Sequence, residues 1–73
     1  MKENSIPAKD VVRRFHIPYH TLNYYTTMGL LPIEGKDGHR RLYNEKETKR
    51  RLEVIARLTN EGYPLHLIRK KLA

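Results

Sequence analysis

A chain of 73 residues with no cysteine can form one small hydrophobic core, and neither a disulfide framework nor a thiolate metal site can hold that core together. Its net charge of +7 favours an acidic partner such as nucleic acid, while 32% charged and 38% hydrophobic residues are typical of a folded domain and not of a disordered tail. The N-terminus lacks a leader-like apolar run and no segment approaches a membrane span, so we expect a single cytoplasmic domain over residues 1–73 without a membrane partner.

The first two predicted elements are short helices separated by a proline-containing break. Apolar residues recur at helical spacing over 7–15, and a second helical pattern covers 19–28 until Gly29 ends it. Two short helices joined by a few residues form the skeleton of a helix-turn-helix. Because short amphipathic pairs are common, this skeleton alone is weak evidence, and the second helix is the more informative element.

The second helix presents a polar face without a carboxylate. Leu22, Tyr25 and Met28 form the stripe that we expect to face the core. The opposite face carries amide, imidazole and hydroxyl groups, from His20, Asn23, Tyr24 and Thr27. Such groups can contact base edges and phosphates, whereas an acid would be repelled by the DNA backbone. For this helix considered alone, a solvated surface face is the alternative.

Residues 31–43 have the pattern of a β-hairpin beside the second helix. Two short strands, 31–34 and 40–43, flank a tip bounded by Gly35 and Gly38. Three cations lie at or beside this tip: Lys36, Arg40 and Arg41. Since arginine can pair with phosphate through two hydrogen bonds, the hairpin can grip a duplex backbone and fix the helix's register.

The third and fourth helices are predicted over 45–61 and 64–72. Asn44 followed by Glu47 matches a capping box at the start of the third helix, and Gly62 is placed for a Schellman stop at its end. Glutamates four residues before a base account for most charges of the third helix, and basic residues near the end of the fourth complement its dipole. We therefore assign both helices to the scaffold.

Four short motifs follow one another along nearly the whole chain. They are Tyr24-Tyr25, Gly-Leu-Leu-Pro at 29–32, Gly-His-Arg-Arg-Leu-Tyr at 38–43 and Gly-Tyr-Pro-Leu at 62–65. In this order and spacing they resemble the DNA-binding domain of the MerR family of bacterial transcription regulators. The resemblance implies a mainly α fold with a small β-hairpin, a winged helix-turn-helix of four helices plus the wing.

The resemblance also implies a function and partners. The second helix would enter the major groove of double-stranded DNA in a sequence-specific manner, with the arginine-bearing wing on phosphates. Family members typically bind as dimers across a pseudo-palindromic promoter with an overlong spacer, then bend and untwist it so that RNA polymerase can use it. We therefore expect a homodimer for a full-length regulator, whereas this chain stops at Ala73, before the family's long dimerisation helix.

The expected DNA contacts lie on the second helix and on the wing. Those on the helix are Tyr19, His20, Asn23, Tyr24 and Thr27. Those on the wing are Lys36, His39, Arg40, Arg41 and Tyr43. Among them, Arg41 and Tyr43 correspond to the family's arginine and tyrosine at the end of the wing.

Three positions depart from the family pattern. Asn23 stands where the family usually has arginine, and its amide favours adenine edges. His16 replaces the usual turn glycine, and histidine tolerates a positive φ better than most residues. Pro18 replaces the usual serine cap, a loss that costs about 1 kcal/mol. The family's target sequence therefore does not carry over to this chain.

Other classes of function remain open on the sequence. An excisionase-like architectural DNA-bending protein would depend on phosphate contacts and the wing more than on bases. A small basic RNA-binding or protein-interaction module has only the net charge in its favour. We expect no enzyme, cofactor or metal site, because no nucleophile lies near a base and the break between His16 and His20 prevents their rings from aligning as ligands.

Overall fold

In the computed structural model of the chain, residues 4–72 are described, and they form four helices and a three-stranded antiparallel sheet. The elements in chain order are β1 (Ser5–Pro7), α1 (Ala8–Phe15), α2 (Tyr19–Thr27), β2 (Gly35–Asp37), β3 (Arg40–Asn44), α3 (Glu45–Asn60) and α4 (Leu65–Leu72). Strand β3 is central, between β1 and β2. The predicted fold class, mainly α with a winged helix-turn-helix, is confirmed. The predicted extent of 1–73 includes residues 1–3 and 73, which lie outside the described residues.

Each helix is one residue shorter than its sequence pattern suggested. Pro7 and Pro64 stand just before α1 and α4, whereas Met28 and Glu61 are the C-caps of α2 and α3. Residues that flank a helix are only partly helical, and a prediction from periodicity readily counts them as part of the helix. Within residues 4–72, no helix combines the length and the apolar character needed to cross a membrane.

The connection between α1 and α2 is a sharp turn. His16 follows α1 in the left-handed region, at φ 55° and ψ 45°, a conformation that histidine adopts more readily than most residues. Pro18 is the N-cap of α2, with extended backbone and no side-chain hydrogen bond. Its carbonyl oxygen accepts from the backbone N–H groups of Thr21 and Leu22, each at 3.1 Å. The start of α2 therefore depends on backbone hydrogen bonds and on the fixed φ of proline.

The C-terminal end of α2 is a Schellman motif at Gly29. The N–H of Gly29 donates to Thr26 at 3.1 Å, and the N–H of Leu30 donates to Tyr25 at 2.9 Å. Gly29 has φ 83°, which glycine adopts without the steric cost that a Cβ brings. A Cβ at this position would also lie 3.1 Å from Nε of Arg69. The motif turns the chain so that Leu30 enters the core.

The wing differs from the prediction in its first strand. The predicted strand at 31–34 is wrong, because the observed strand begins only at Gly35. Leu31 belongs to the loop before it and is fully buried in the core. Asp37 pairs with Arg40, which leaves a two-residue turn at positions 38 and 39. Gly38 has φ 64°, and glycine with positive φ at the first central position is the pattern of a type II′ hairpin turn.

Strand β1 was not predicted from the sequence. It has only three residues and pairs with β3, with Ile6 opposite Tyr43 and Pro7 opposite Leu42. So short a segment has no measurable alternation of apolar and polar residues. Its pairing matters for the site, because it brings the start of α1 beside the wing.

One hydrophobic core joins α1, α2, β3, α3 and α4. Its buried members are Ile6, Ala8, Val11, Leu22, Leu30, Leu31, Tyr43, Ile55, Leu58, Ile68 and Leu72. Leu22 is the fully buried residue of α2, with Tyr25 and Met28 packed against the cluster at its edge. Burying such side chains stabilises the fold by roughly 1.5–3 kcal/mol each. The predicted inward stripe of α2 is therefore confirmed, and it fixes which face of the helix points outward.

The N-cap Asn44 and the stop at Gly62 flank helix α3 as the sequence predicts. Oδ1 of Asn44 accepts from the backbone N–H of Glu47 at 2.8 Å. At the other end, the N–H of Tyr63 donates to Leu58 at 3.0 Å, the long bond of a Schellman motif around Gly62. The carboxylate of Glu47 does not complete the capping box.

That carboxylate instead holds Arg51, which in turn joins α3 to the residues just after α2. It accepts from Arg50 and, at 2.8 Å, from Nε of Arg51. Arg51 also donates from Nη1 to the carbonyl oxygen of Leu30 at 3.1 Å. Hydrogen bonds from Arg50, and then from Arg51, lower the pKa of Glu47 to about 2. This network holds the turn after α2 against the scaffold.

Candidate nucleic-acid interface

Side chains of strand β3 contact one side of α2. Tyr19, Asn23 and Thr26 share a side of the helix because they are four and three residues apart. Arg41 and Tyr43 share a face of β3 because side chains alternate along a strand. The contacts described below join these two sets, so the wing and α2 are held in a fixed relation.

Tyr43 anchors the base of the wing in the core. Its side chain is 0% exposed, and its hydroxyl lies 2.8 Å from Oγ1 of Thr26. Thr26 already donates its only hydroxyl proton to the carbonyl oxygen of Leu22, at 2.8 Å, so Tyr43 is the donor of the pair. We expected Tyr43 to contact DNA, but its side chain is buried in the core, and in this conformation it has no surface to offer to a phosphate.

The side chain of Arg41 is half-buried where the wing meets α2. Its Nη2 donates to Oδ1 of Asn23. Its Cζ lies 6.0 Å from the ring centroid of Tyr19 and 5.7 Å from that of Tyr43, distances at which a guanidinium is attracted to an aromatic face. An amide oxygen and two rings therefore hold the guanidinium.

A cleft opens between the wing tip and the starts of α1 and α2. It has a volume of about 220 Å³, and its lining residues are Pro7, Ala8, Lys9, Tyr19, His39, Arg40 and Arg41. We call it the basic cleft, because Lys9, Arg40 and Arg41 contribute cations and its lining includes no carboxylate from residues 4–72. Across the hairpin turn, the guanidinium of Arg40 lies 3.5 Å from Asp37, a pair in which both side chains are more than half exposed.

The basic cleft gathers four of the predicted site residues and adds one that the sequence analysis missed. Tyr19, His39, Arg40 and Arg41 were all expected at the interface, whereas Lys9, on the first helix, was not among the expected contacts. Helical periodicity alone could not place Lys9, because its position depends on the pairing of β1 with β3.

Several carboxylates outside the cleft are paired with arginines. Asp10 pairs with Arg13 at 2.8 Å, and Glu45 pairs with Arg14 across the junction of α1 and α3. Glu47 is committed to α3 as described above. These acids therefore offset positive charge on the scaffold and not in the basic cleft.

Comparison with protein families supplies the context for this geometry. A family model described as MerR HTH family regulatory protein matches residues 6–73. The chain belongs to the MerR helix-turn-helix family. Membership implies DNA-binding transcription regulation, since this is a family of DNA-binding regulators and not of enzymes. Comparisons with curated proteins and with solved structures gave no significant match.

In this MerR-family domain, α2 is the second helix of the helix-turn-helix and is called the recognition helix below. His20, Tyr24 and Thr27 are exposed and lie four and three residues apart, so they form one outward face. Tyr24 is 55% exposed and Tyr19 is 54% exposed. Large aromatic side chains with this much free surface are suited to contacts with a partner.

Asn23 and Lys36 complete the set of predicted site residues. Asn23 was expected on the same face as His20 and Tyr24, but it is half-buried and turned towards Arg41. Lys36 is exposed on β2, opposite Arg41 in the strand register. The predicted polar face is therefore divided, with part of it exposed to solvent and part of it engaged with the wing.

Proposed function

We propose that this MerR-family domain binds double-stranded DNA in a sequence-specific manner, with the recognition helix in the major groove and the wing on phosphates. The observation that carries the proposal is the position of the basic cleft at the N-terminal end of the recognition helix, beside its exposed polar face. The N-terminal part of such a helix is the part that commonly contacts base edges.

The basic cleft supplies the phosphate contacts in this proposal. Lys9 lies on α1, whereas Arg40 and Arg41 lie on β3. The two sides of the cleft therefore belong to different elements, and both can contact the same DNA backbone. One guanidinium can bind a phosphate through two parallel hydrogen bonds, and a lysine adds a compact positive charge. Such contacts position the protein on the duplex without identifying a sequence.

The outward face of the recognition helix supplies the base contacts. The imidazole of His20 and the hydroxyl of Thr27 can donate to or accept from base edges. The Tyr24 ring offers apolar surface to a thymine methyl group and a hydroxyl to a phosphate or base. All three side chains are exposed before DNA arrives, so binding does not require them to leave the core.

A full-length regulator with this domain is proposed to act as a homodimer in the cytoplasm of a bacterial cell. Two domains would contact the half-sites of a pseudo-palindromic promoter, and RNA polymerase would be the partner that responds to the altered spacer. A homodimer and a palindromic site match because both have twofold symmetry.

The proposal is tested by selecting duplexes from a random pool and measuring affinity at several salt concentrations. We expect the protein to prefer a selected duplex over a shuffled one, and Arg40→Ala to reduce the slope of log K against log salt by about one unit. Arg57→Ala is the matched control, because it removes the same charge from α3, outside the basic cleft. Equal slopes for wild type and Arg40→Ala, or equal affinity for single-stranded RNA, would contradict the proposal.

A further inference from the structure

The side chain of Asn23 is bound to the wing. Its Oδ1 accepts a hydrogen bond from Nη2 of Arg41. We propose that Asn23 is a positioning residue, which holds the Arg41 guanidinium at the basic cleft and does not itself contact bases. This inference rests on the proposed function, since it concerns how Arg41 meets a DNA phosphate.

The surroundings of Arg41 support a positioning role. The Tyr19 and Tyr43 rings lie 6.0 Å and 5.7 Å from its Cζ, but aromatic faces attract a cation without fixing the rotation of its planar group. The Asn23 oxygen adds a directional bond, which fixes that rotation. An arginine at position 23 would offer no acceptor and would repel Arg41.

The position of Asn23 argues against a base contact. Recognition of adenine by asparagine uses the amide oxygen as an acceptor and the amide nitrogen as a donor. Here the hydrogen bond from Arg41 uses one lone pair of the oxygen and fixes the direction of the amide, and Asn23 is half-buried on the side of the helix that contacts side chains of β3. The exposed face with His20, Tyr24 and Thr27 lies beside it.

Fixing Arg41 before DNA arrives has a measurable benefit. A free arginine side chain samples many rotamers, and ordering it upon binding costs conformational entropy. Because Asn23 orders the side chain in the folded protein, that cost is met before association. A guanidinium has further N–H donors beyond the one used by Asn23, and these can pair with a phosphate in the basic cleft.

A double-mutant cycle with Asn23→Ala and Arg41→Ala tests the inference. Dissociation constants are measured for a selected and a shuffled duplex. We expect Asn23→Ala to weaken both duplexes by a similar factor, roughly 5- to 20-fold, and by less than about twofold when Arg41→Ala is already present. His20→Ala is the matched control on the same helix, and its effect should be the same in both backgrounds and larger on the selected duplex.

A second measurement needs no DNA. The side-chain NMR signals of Arg41 should show restricted rotation of the guanidinium in the wild type and averaged rotation in Asn23→Ala. Asn23→Ser, which keeps an acceptor on a shorter side chain, should give an intermediate degree of guanidinium rotation. It replaces Asn23→Ala in this test if that variant does not fold. Freely rotating Arg41 in the wild type would overturn the inference.

The outcomes separate this inference from the proposed function. If Asn23→Ala weakens only the selected duplex, and does so equally in the Arg41→Ala background, Asn23 contacts bases and the inference is wrong. If Asn23→Ala leaves both affinities unchanged while Arg41→Ala lowers them, the inference is also wrong. Absence of duplex binding by the wild type would remove the proposed function itself, and the inference with it.

Discussion

The hydroxyl of Tyr43 donates to Oγ1 of Thr26 across 2.8 Å, and the Tyr43 side chain is fully buried. It joins the base of the wing to the third turn of the recognition helix. Thr26 in turn donates to Leu22, the buried anchor of that helix. The wing and the recognition helix are therefore expected to keep their relative position when the protein binds a partner.

Removing the two ends of this contact should have unequal effects on stability. Tyr43→Phe leaves Thr26 bonded to Leu22, so we expect a loss of about 1 kcal/mol in the free energy of unfolding. Thr26→Val leaves the Tyr43 hydroxyl buried without an acceptor, which we expect to cost about 1–3 kcal/mol. Urea unfolding of both variants measures the difference, and a larger cost for Tyr43→Phe would contradict the assigned direction of the hydrogen bond.

The Glu47 network predicts a dependence of stability on pH. Hydrogen bonds from Arg50 and Arg51 lower the pKa of Glu47 to about 2 in the folded protein, whereas an unfolded glutamate has a pKa near about 4.3. The stabilisation is therefore fully present above the unfolded pKa and is lost as the pH falls towards about 2. Since the Glu47 side chain is 38% exposed, its contribution is about 1 kcal/mol or less after solvent screening.

Glu47→Gln should therefore be less stable than wild type at pH 7, and the difference should disappear near the folded-state pKa. Urea unfolding across this pH range is the measurement. Glu53→Gln, which alters an exposed acid of the same helix, is the control and should show a smaller change. A constant difference between Glu47→Gln and wild type at every pH would contradict the proposed charge network.

The turn after the recognition helix predicts the effect of a single methyl group. Gly29→Ala places a Cβ on a residue with φ 83° and within 3.1 Å of the Arg69 side chain. We expect a loss of about 1–2 kcal/mol in unfolding free energy. Gly35→Ala is the control, because Gly35 lacks a positive φ and no atom lies close to its added Cβ. Equal stability of the two variants would show that the turn relaxes without cost.

Lys9 provides a test of the basic cleft that the family motifs do not suggest. Lys9→Ala should weaken selected and shuffled duplexes alike and lower the salt slope by about one unit. Lys49→Ala is the matched control, since Lys49 lines a different groove with Tyr25 and Leu52. If both lysine variants bind with the wild-type slope, Lys9 is not in contact with a phosphate.

The sequence predicted those parts of the site that depend on local pattern. The outward face of the recognition helix, the turn at His16 and the stops at Gly29 and Gly62 each follow from residues within one or two turns of chain. Such features need no knowledge of how distant segments pack.

The remaining features depend on contacts between distant segments. Asn23 lies, on a helical wheel, between the exposed face of α2 and the side that contacts side chains of β3, so only the position of β3 decides which way it turns. Lys9 reaches the basic cleft because β1 pairs with β3. Tyr43 has the sequence context of a surface wing residue, and only the tertiary packing around β3 shows that it is buried.

The central claim is that the outward face of the recognition helix and the basic cleft form one DNA-binding surface. The most direct measurement is the change in backbone amide chemical shifts on adding a selected duplex to the labelled protein. We expect the largest changes at His20, Tyr24, His39 and Arg40, with little change at Lys49 and Ala56 in the groove beside α3. Changes centred on that groove, with the recognition helix and wing unaffected, would contradict it.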